Sequence, residues 1–450
     1  MKTDTNKSPA YTSSRNACKL CAPLGASLVF KGIRGCIPVL HGSQGCATYI
    51  RRYLISHYKE PVDIASSNFS EESTIFGGNT NFITGMDNVI AQYNPEVIGI
   101  ASTCLSETIG EDIPALVKEY RVKNSQKNLP EFIHVSTPSY NGSHSNGFSE
   151  TMLASVSSLA KKGETESHIN IFPGFVSPAD IRYIREIISA FHLPFVLFPD
   201  YSDTLDNPNW SEYQIIPEGG TPVDMLIKTG SAKATIEFGM SAGMGRSKFL
   251  TAGEWLEKSC NVPLFKMKLP VGIDATDEFI KTLEHISGIK APDNMVRERG
   301  RLVDAYVDGH KYVFGKKACV YGEKDFVTAM MAFLAEIGME TVLAGTGDEV
   351  SGNEFQIPNG AFLSNLDFET MNEMANDLQP DIFVGNSKGY YIARRLKKPL
   401  VRVGFPIHDR FGGQRLLHLG YRGTQMLFDR VVNALIEYKQ ENSPIGYKYI

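Results

Sequence analysis

Short apolar, β-branched runs alternate with longer helical stretches along most of the chain. The runs at 97–102, 168–172, 195–199, 234–238, 318–321, 340–344, 381–384 and 400–403 each end near Gly, Pro, Asn, Asp, Ser or Cys, and predict strands. Stretches at 178–191, 325–338 and 424–440 predict helices between them. This alternation predicts an α/β fold of parallel sheets with helices on both faces. Uninterrupted apolar strands fit sheets buried on both sides. Residues 1–16 are polar and predict a loose leader. Polar breaks near 160–167 and 287–300 divide the remainder into segments 17–165, 166–290 and 291–450. Three segments agree with the usual domain size of about 150 residues.

In parallel sheets, sites form outside the carboxyl ends of the strands. The loops to inspect are therefore 103–107, 173–177, 199–203, 345–348, 385–389 and 404–415, all rich in small and polar residues. Composition narrows the partners. The 45 basic against 50 acidic residues leave a net charge of −5, which argues against nucleic acid. No apolar run approaches the 18 or more residues of a membrane span. The polar start lacks the apolar core of a signal peptide, so the expected location is cytoplasmic. Seven cysteines, an odd number in a large chain, argue against a disulfide framework. Five of them fall within the first 104 residues, which favours metal or cluster ligation.

Cys18 and Cys21 form a CxxC pair, readable as a redox dithiol or as metal ligands. His41-Gly-Ser-Gln-Gly-Cys46 sets glycines around a cysteine, and such a loop can aim N–H groups at a thiolate or sulfide. Cys104 follows the apolar run 97–102 and precedes acidic residues of a predicted helix start, a favourable field for a thiolate. Cys36, Cys260 and Cys319 read as core residues. Cys21, Cys46 and Cys104 are distant in sequence, yet each lies at an element end where one polymetallic site could gather them. Iron–sulfur clusters usually take about four thiolates, so a partner chain, a serine or an open iron must complete the shell. Zinc competes, although its sites usually show paired short spacings. The loop 345–348 lacks the fingerprints of nucleotide-binding motifs. The loop 404–415 offers His408, Asp409, Arg410 and Arg415, either for an anionic cofactor or for salt bridges within a chain reversal.

These blocks, taken together, resemble the nitrogenase component 1 family, β-type. The resemblance spans nearly the whole chain. It rests on CAPLGA at 21–26, HGSQGC at 41–46, HYKEPVDIASS at 57–67, FGG at 76–78 and STCLSETIGED at 102–112. STPSYNGSHSNGF at 136–148, FPGFVSPAD at 172–180, FPDYSDTLD at 198–206, IPEGGTP at 216–222 and GFPIHDR at 404–410 extend it. The resemblance implies three Rossmann-like domains and a heterotetramer with an α-like chain. It implies an interfacial iron–sulfur cluster, either a four-iron cluster or the P-cluster, ligated here by Cys21, Cys46 and Cys104, with Ser139 joining in one oxidation state. It implies a nitrogenase iron protein as reductase, and assigns no catalytic side chain to this subunit. Within the family, the blocks at 386–389, 393–396, 412–415 and 420–429 are similar to scaffold chains, and the leader is short. The expected function is therefore the β-like (NifN-type) subunit of a scaffold that matures the iron–molybdenum cofactor with a NifE-type partner. The alternative is the catalytic β chain of nitrogenase, with a NifD-type partner.

Overall fold

The computed structural model describes residues 17–209, 211–240, 249–349, 357 and 360–446. The leader expected at 1–16 lies outside these residues. Thirteen strands are described: β1 (Cys36–His41), β2 (Ala65–Ser66), β3 (Val97–Ser102), β4 (Glu131–Val135), β5 (Ile169–Phe172), β6 (Phe195–Leu197), β7 (Ala234–Phe238), β8 (Leu264–Met267), β9 (Lys317–Gly322), β10 (Glu340–Thr346), β11 (Ala361–Leu363), β12 (Ile382–Gly385) and β13 (Leu400–Arg402). They form three sheets in the orders β2-β1-β3-β4, β6-β5-β7-β8 and β11-β10-β9-β12-β13. Every pairing within these sheets is parallel. The architecture is α/β and Rossmann-like, as the alternation predicts. All eight predicted strands are present within a residue or two.

Both faces of the sheets are covered, and the two-residue period of the strands shows how. On β3, Val97 and Ala101 join an apolar cluster that runs through all three sheets, while Ile98 and Ile100 point into a second cluster with Phe82, Met86 and Tyr120. On β9, Ala318 and Val320 enter the shared cluster, while Cys319 and Tyr321 pack against Phe368 and Ile392 on the opposite face. The central packing element is α1 (Ala22–Lys31), all ten of whose residues are buried. It lies against the helix His144–Leu159, and the two backbones are nearly in contact. A Cβ on Gly25 would sit 1.9 Å from the His144 carbonyl oxygen, and one on Gly147 would sit 2.0 Å from the Ala22 carbonyl oxygen. Only glycine permits that approach.

Five strands, β1, β2, β4, β8 and β11, escape the sequence pattern. β1 carries Pro38, which usually argues against a central strand. The short β2 pairs only with Val39 and Leu40, so Pro38 lies outside that ladder while still registering with Gly99 of β3. No described helix is long and apolar enough to cross a membrane.

Candidate functional site

The parallel register places the carboxyl ends of β1, β3 and β4 side by side. His41 pairs with Ser102, and Ala101 with Val135. The loops that follow carry Cys46, Cys104 and Ser139 respectively. Thr137 locks two of these loops together: its N–H donates to Ser102 Oγ at 2.8 Å, and its hydroxyl donates to the Ser102 carbonyl at 2.7 Å. Thr103 ties the third, donating its hydroxyl to the His41 carbonyl at 3.1 Å.

Each of the three cysteines stands at a helix N-terminus. Cys21 caps α1, Cys46 lies in the first turn of α2 (Gln44–Tyr58), and Cys104 opens a short helix, Cys104–Thr108. Unpaired N–H groups and the positive end of the helix dipole favour a thiolate there. Ser139 bridges two of the positions. Its N–H donates to Cys104 Sγ at 3.2 Å, and its hydroxyl accepts from the Ala22 N–H at 3.1 Å. Burial raises the Cys21 thiol, the Ser139 hydroxyl opposes that shift, and the charges of Cys104 and Cys46 add to it. Ser139 thus joins the Cys104 thiol to the start of α1, and the pairing of β1 with β3 sets the helix that carries Cys46 alongside. Among the described residues, however, no group of three or more His, Cys, Asp or Glu side chains converges on a point that could hold one metal ion.

The site is open on one side. Cys104 is exposed, and Cys21 and Cys46 are half-buried. Tyr49, one turn after Cys46 on α2, and Tyr140, next to Ser139, are 45% and 59% exposed. Behind the thiols the packing is fixed. His41 Nε2 meets Glu111 Oε2 at 3.1 Å between the rings of Phe69 and Phe82, and the other Glu111 oxygen accepts the Gly78 N–H at 2.7 Å. Burial lowers the His41 pKa, so the ring is held neutral against a carboxylate. Glu111 and Gly78 lie in blocks that the sequence singled out, but nothing in their local spacing announces the pairing.

The remaining cysteines separate cleanly. Cys18 is buried with Cys319 and Tyr321 in the third sheet's outer cluster, and its thiol is pushed up to about 12 by desolvation. The CxxC spacing therefore splits: Cys21 faces the site and Cys18 faces the core. Cys36 is likewise buried, its thiol pushed up to about 12. Cys260 and Cys319 are buried, as expected. The loop 404–415 proves to be a salt-bridged reversal. Arg402 grips Asp409 through Nε at 2.9 Å and Nη2 at 2.7 Å, and Arg415 reaches Asp206 at 3.5 Å. The same loop reaches the first domain, where the Ile407 N–H donates to His57 Nδ1 at 2.8 Å. The loop 345–348 is tied to the helix His144–Leu159 at its start. Its Asp348 accepts from the Ser143 hydroxyl.

Three parallel, Rossmann-like sheets with helices on both sides define the α/β class to which the nitrogenase component 1 proteins belong. The chain belongs to the nitrogenase component 1 family: the model of nitrogenase component 1 type oxidoreductases matches residues 21–436. It is 36% identical over 434 residues to the nitrogenase molybdenum-iron protein beta chain of Clostridium pasteurianum, covering 94% of this chain and 93% of that one. It is 33% identical over 442 residues to the corresponding beta chain of Methanothermobacter thermautotrophicus, covering 94% of each. Its fold matches a chain of a solved structure titled "Nitrogenase Cp1 at pH 6.5" with a TM-score of 0.93 at 34% identity, covering 99% and 98% of the two chains. Family members carry iron–sulfur clusters at the subunit interface and pair with an α-like chain in a heterotetramer.

These relatives overturn the scaffold expectation. They are named as β chains of the molybdenum-iron protein, not as scaffold chains. The blocks that suggested a scaffold have structural work around and beyond the third sheet. The Asn386 side chain donates to the Phe405 carbonyl at 2.9 Å, and the Gly420 N–H donates to the Pro270 carbonyl at 2.7 Å. Such residues report how the chain packs rather than which chemistry the thiols serve.

Proposed function

We propose that this chain is the catalytic β-type subunit of a nitrogenase, reducing dinitrogen together with a NifD-type α chain, and that Cys21, Cys46 and Cys104 are ligands of an interfacial P-cluster. What supports this reading is that Cys21, Cys46 and Cys104 each stand at the start of a helix beside the carboxyl ends of the first sheet, with Ser139 tied both to Cys104 and to the start of α1. With Cys104 exposed and Cys21 and Cys46 half-buried, the open side leaves room for a partner's thiolates. Ser139 is the fourth residue of this chain within reach: it already contacts Cys104, and its hydroxyl is held against α1. An iron–sulfur cluster held there supplies one-electron redox chemistry at the subunit boundary.

This chain's own residues have three tasks. The three cysteines bind as thiolates, favoured by the helix ends. Thr103, Thr137 and the His41–Glu111 pair orient the loops that carry them. The exposed Tyr49 and Tyr140 offer apolar surface for the second chain to cover, excluding water from the thiols. Electrons arrive from the nitrogenase iron protein, and dinitrogen is reduced in the partner chain. The seven free cysteines suit a reducing cytoplasm. The divisions 17–165, 166–290 and 291–450 are the proposed domains, one for each sheet.

The test is anaerobic co-purification with the partner encoded beside this chain, followed by iron counting, EPR and reductase-dependent turnover. The proposal expects interfacial iron above the about four per αβ pair of a single cubane, together with turnover. Iron at or below that level, with no turnover, overturns it.

A further inference from the structure

The turn Ser387–Gly389 after β12 has no part in the site as described, yet it holds the chain that leads into Cys21. Lys388 Nζ donates to the Ala17 carbonyl at 3.0 Å and to the Lys19 carbonyl at 3.3 Å. The turn itself is firmly held. The Lys388 N–H donates to Asn386 Oδ1 at 3.1 Å, and the Tyr321 hydroxyl donates to the Asn386 carbonyl at 2.7 Å. The opposite side of the segment is held by His144. The Leu20 N–H donates to His144 Nδ1 at 3.2 Å, and the Leu20 carbonyl accepts the His144 N–H at 3.0 Å. The Cys18 N–H donates to the Leu366 carbonyl at 2.9 Å. Residues 17–20 are therefore a strap pinned between the first and third domains, and Cys21 is its next residue.

The same contacts place the Lys388 ammonium 3.3 Å from the carbonyl of Lys19, two residues before Cys21, so the strap carries a positive charge where it enters the site.

We propose that Lys388 is a positioning residue for Cys21, fixing the backbone that delivers this ligand and supplying the positive charge beside it. The inference rests on the reading that Cys21 is a cluster ligand. Replacing the ammonium with a neutral group frees two carbonyls and removes a charge that favours the electron-rich state of a nearby cluster.

The experiment compares Lys388→Met and Lys388→Arg with the unaltered heterotetramer. Hydrogen exchange is followed at the Cys18 and Leu20 amides, and the midpoint potential of the interfacial cluster is measured by EPR titration. Lys388→Met is expected to speed exchange about tenfold or more and to shift the potential to more negative values, with iron content unchanged. Lys388→Arg restores both. Lys388→Gln replaces the methionine variant if that variant does not assemble. Unchanged exchange with normal iron overturns this inference alone. Faster exchange with an unmoved potential also overturns it, because Lys388 is then only a strut. A wild-type tetramer without iron at Cys21 overturns the ligand reading and this inference with it.

Discussion

Gly25→Ala tests whether the thiol site depends on the close packing of two helices. The new methyl would meet the His144 carbonyl oxygen at 1.9 Å and the Phe148 nitrogen at 2.6 Å. Both are backbone atoms, so no side-chain rotation relieves the clash. Restoring an ordinary 3.4 Å contact requires α1 to withdraw from the helix His144–Leu159 by about 1.5 Å. Overpacking on this scale costs about 1–3 kcal/mol. The withdrawal also strains the Leu20–His144 and Ala22–Ser139 hydrogen bonds, each worth about 1 kcal/mol. A total loss of about 3 kcal/mol or more is expected. Because Cys21 caps the displaced helix and Ser139 lies across the gap, cluster occupancy falls with stability. The assay is thermal unfolding of the anaerobically assembled tetramer, with iron content measured on the same sample. A Gly25→Ala protein that melts with the wild type and keeps its full iron would refute the reasoning.

Ser139→Ala removes the acceptor of the Ala22 N–H at the start of α1; a loss of about 1 kcal/mol and faster exchange of the Ala22 amide are expected, checked by hydrogen exchange. His57 predicts a pH dependence. Its ring is buried and accepts the Ile407 N–H, and desolvation holds its pKa at about 3 against an ordinary 6.5. Between those values the unfolded chain binds a proton that the folded chain does not, so stability rises with pH and is lost as pH falls below 6.5. By pH 5 the loss from this group is about 2 kcal/mol, and His57→Gln, which keeps an acceptor but does not titrate, should flatten the fall in urea midpoint between pH 7 and pH 5. An equally steep fall in His57→Gln would remove this histidine from the explanation.

The parts of the fold that local pattern reveals are those set by local physics. Strands buried on both faces, such as β3 and β9, stand out as continuous apolar runs, and the glycine-rich and polar residues after them mark the sheet edge where the thiols gather. β1 was harder to see because Pro38 interrupts its pattern, and only the brevity of β2 makes that proline harmless. β4 was missed because Glu131 and His134 are exposed on an edge strand. Among the candidate ligands, Ser139 links the Cys104 thiol to the start of α1 beside Cys21, and Cys46 follows β1, which pairs with β3 at the same sheet edge. Cys18 could not be sorted from Cys21 by spacing, because its surroundings come from Leu366 and Lys388, far along the chain. The scaffold reading failed for a related reason. The blocks at 386–389 and 412–415 fix the third domain, and packing residues of that kind carry little information about which cluster the first domain holds.

The most direct measurement is anomalous diffraction at the iron edge from crystals of the assembled heterotetramer. The account predicts iron bonded to the Sγ atoms of Cys21, Cys46 and Cys104 together, at the boundary with the α-like chain, and none at Cys18. Iron absent from that edge, or bound by only one of the three thiols, would contradict it.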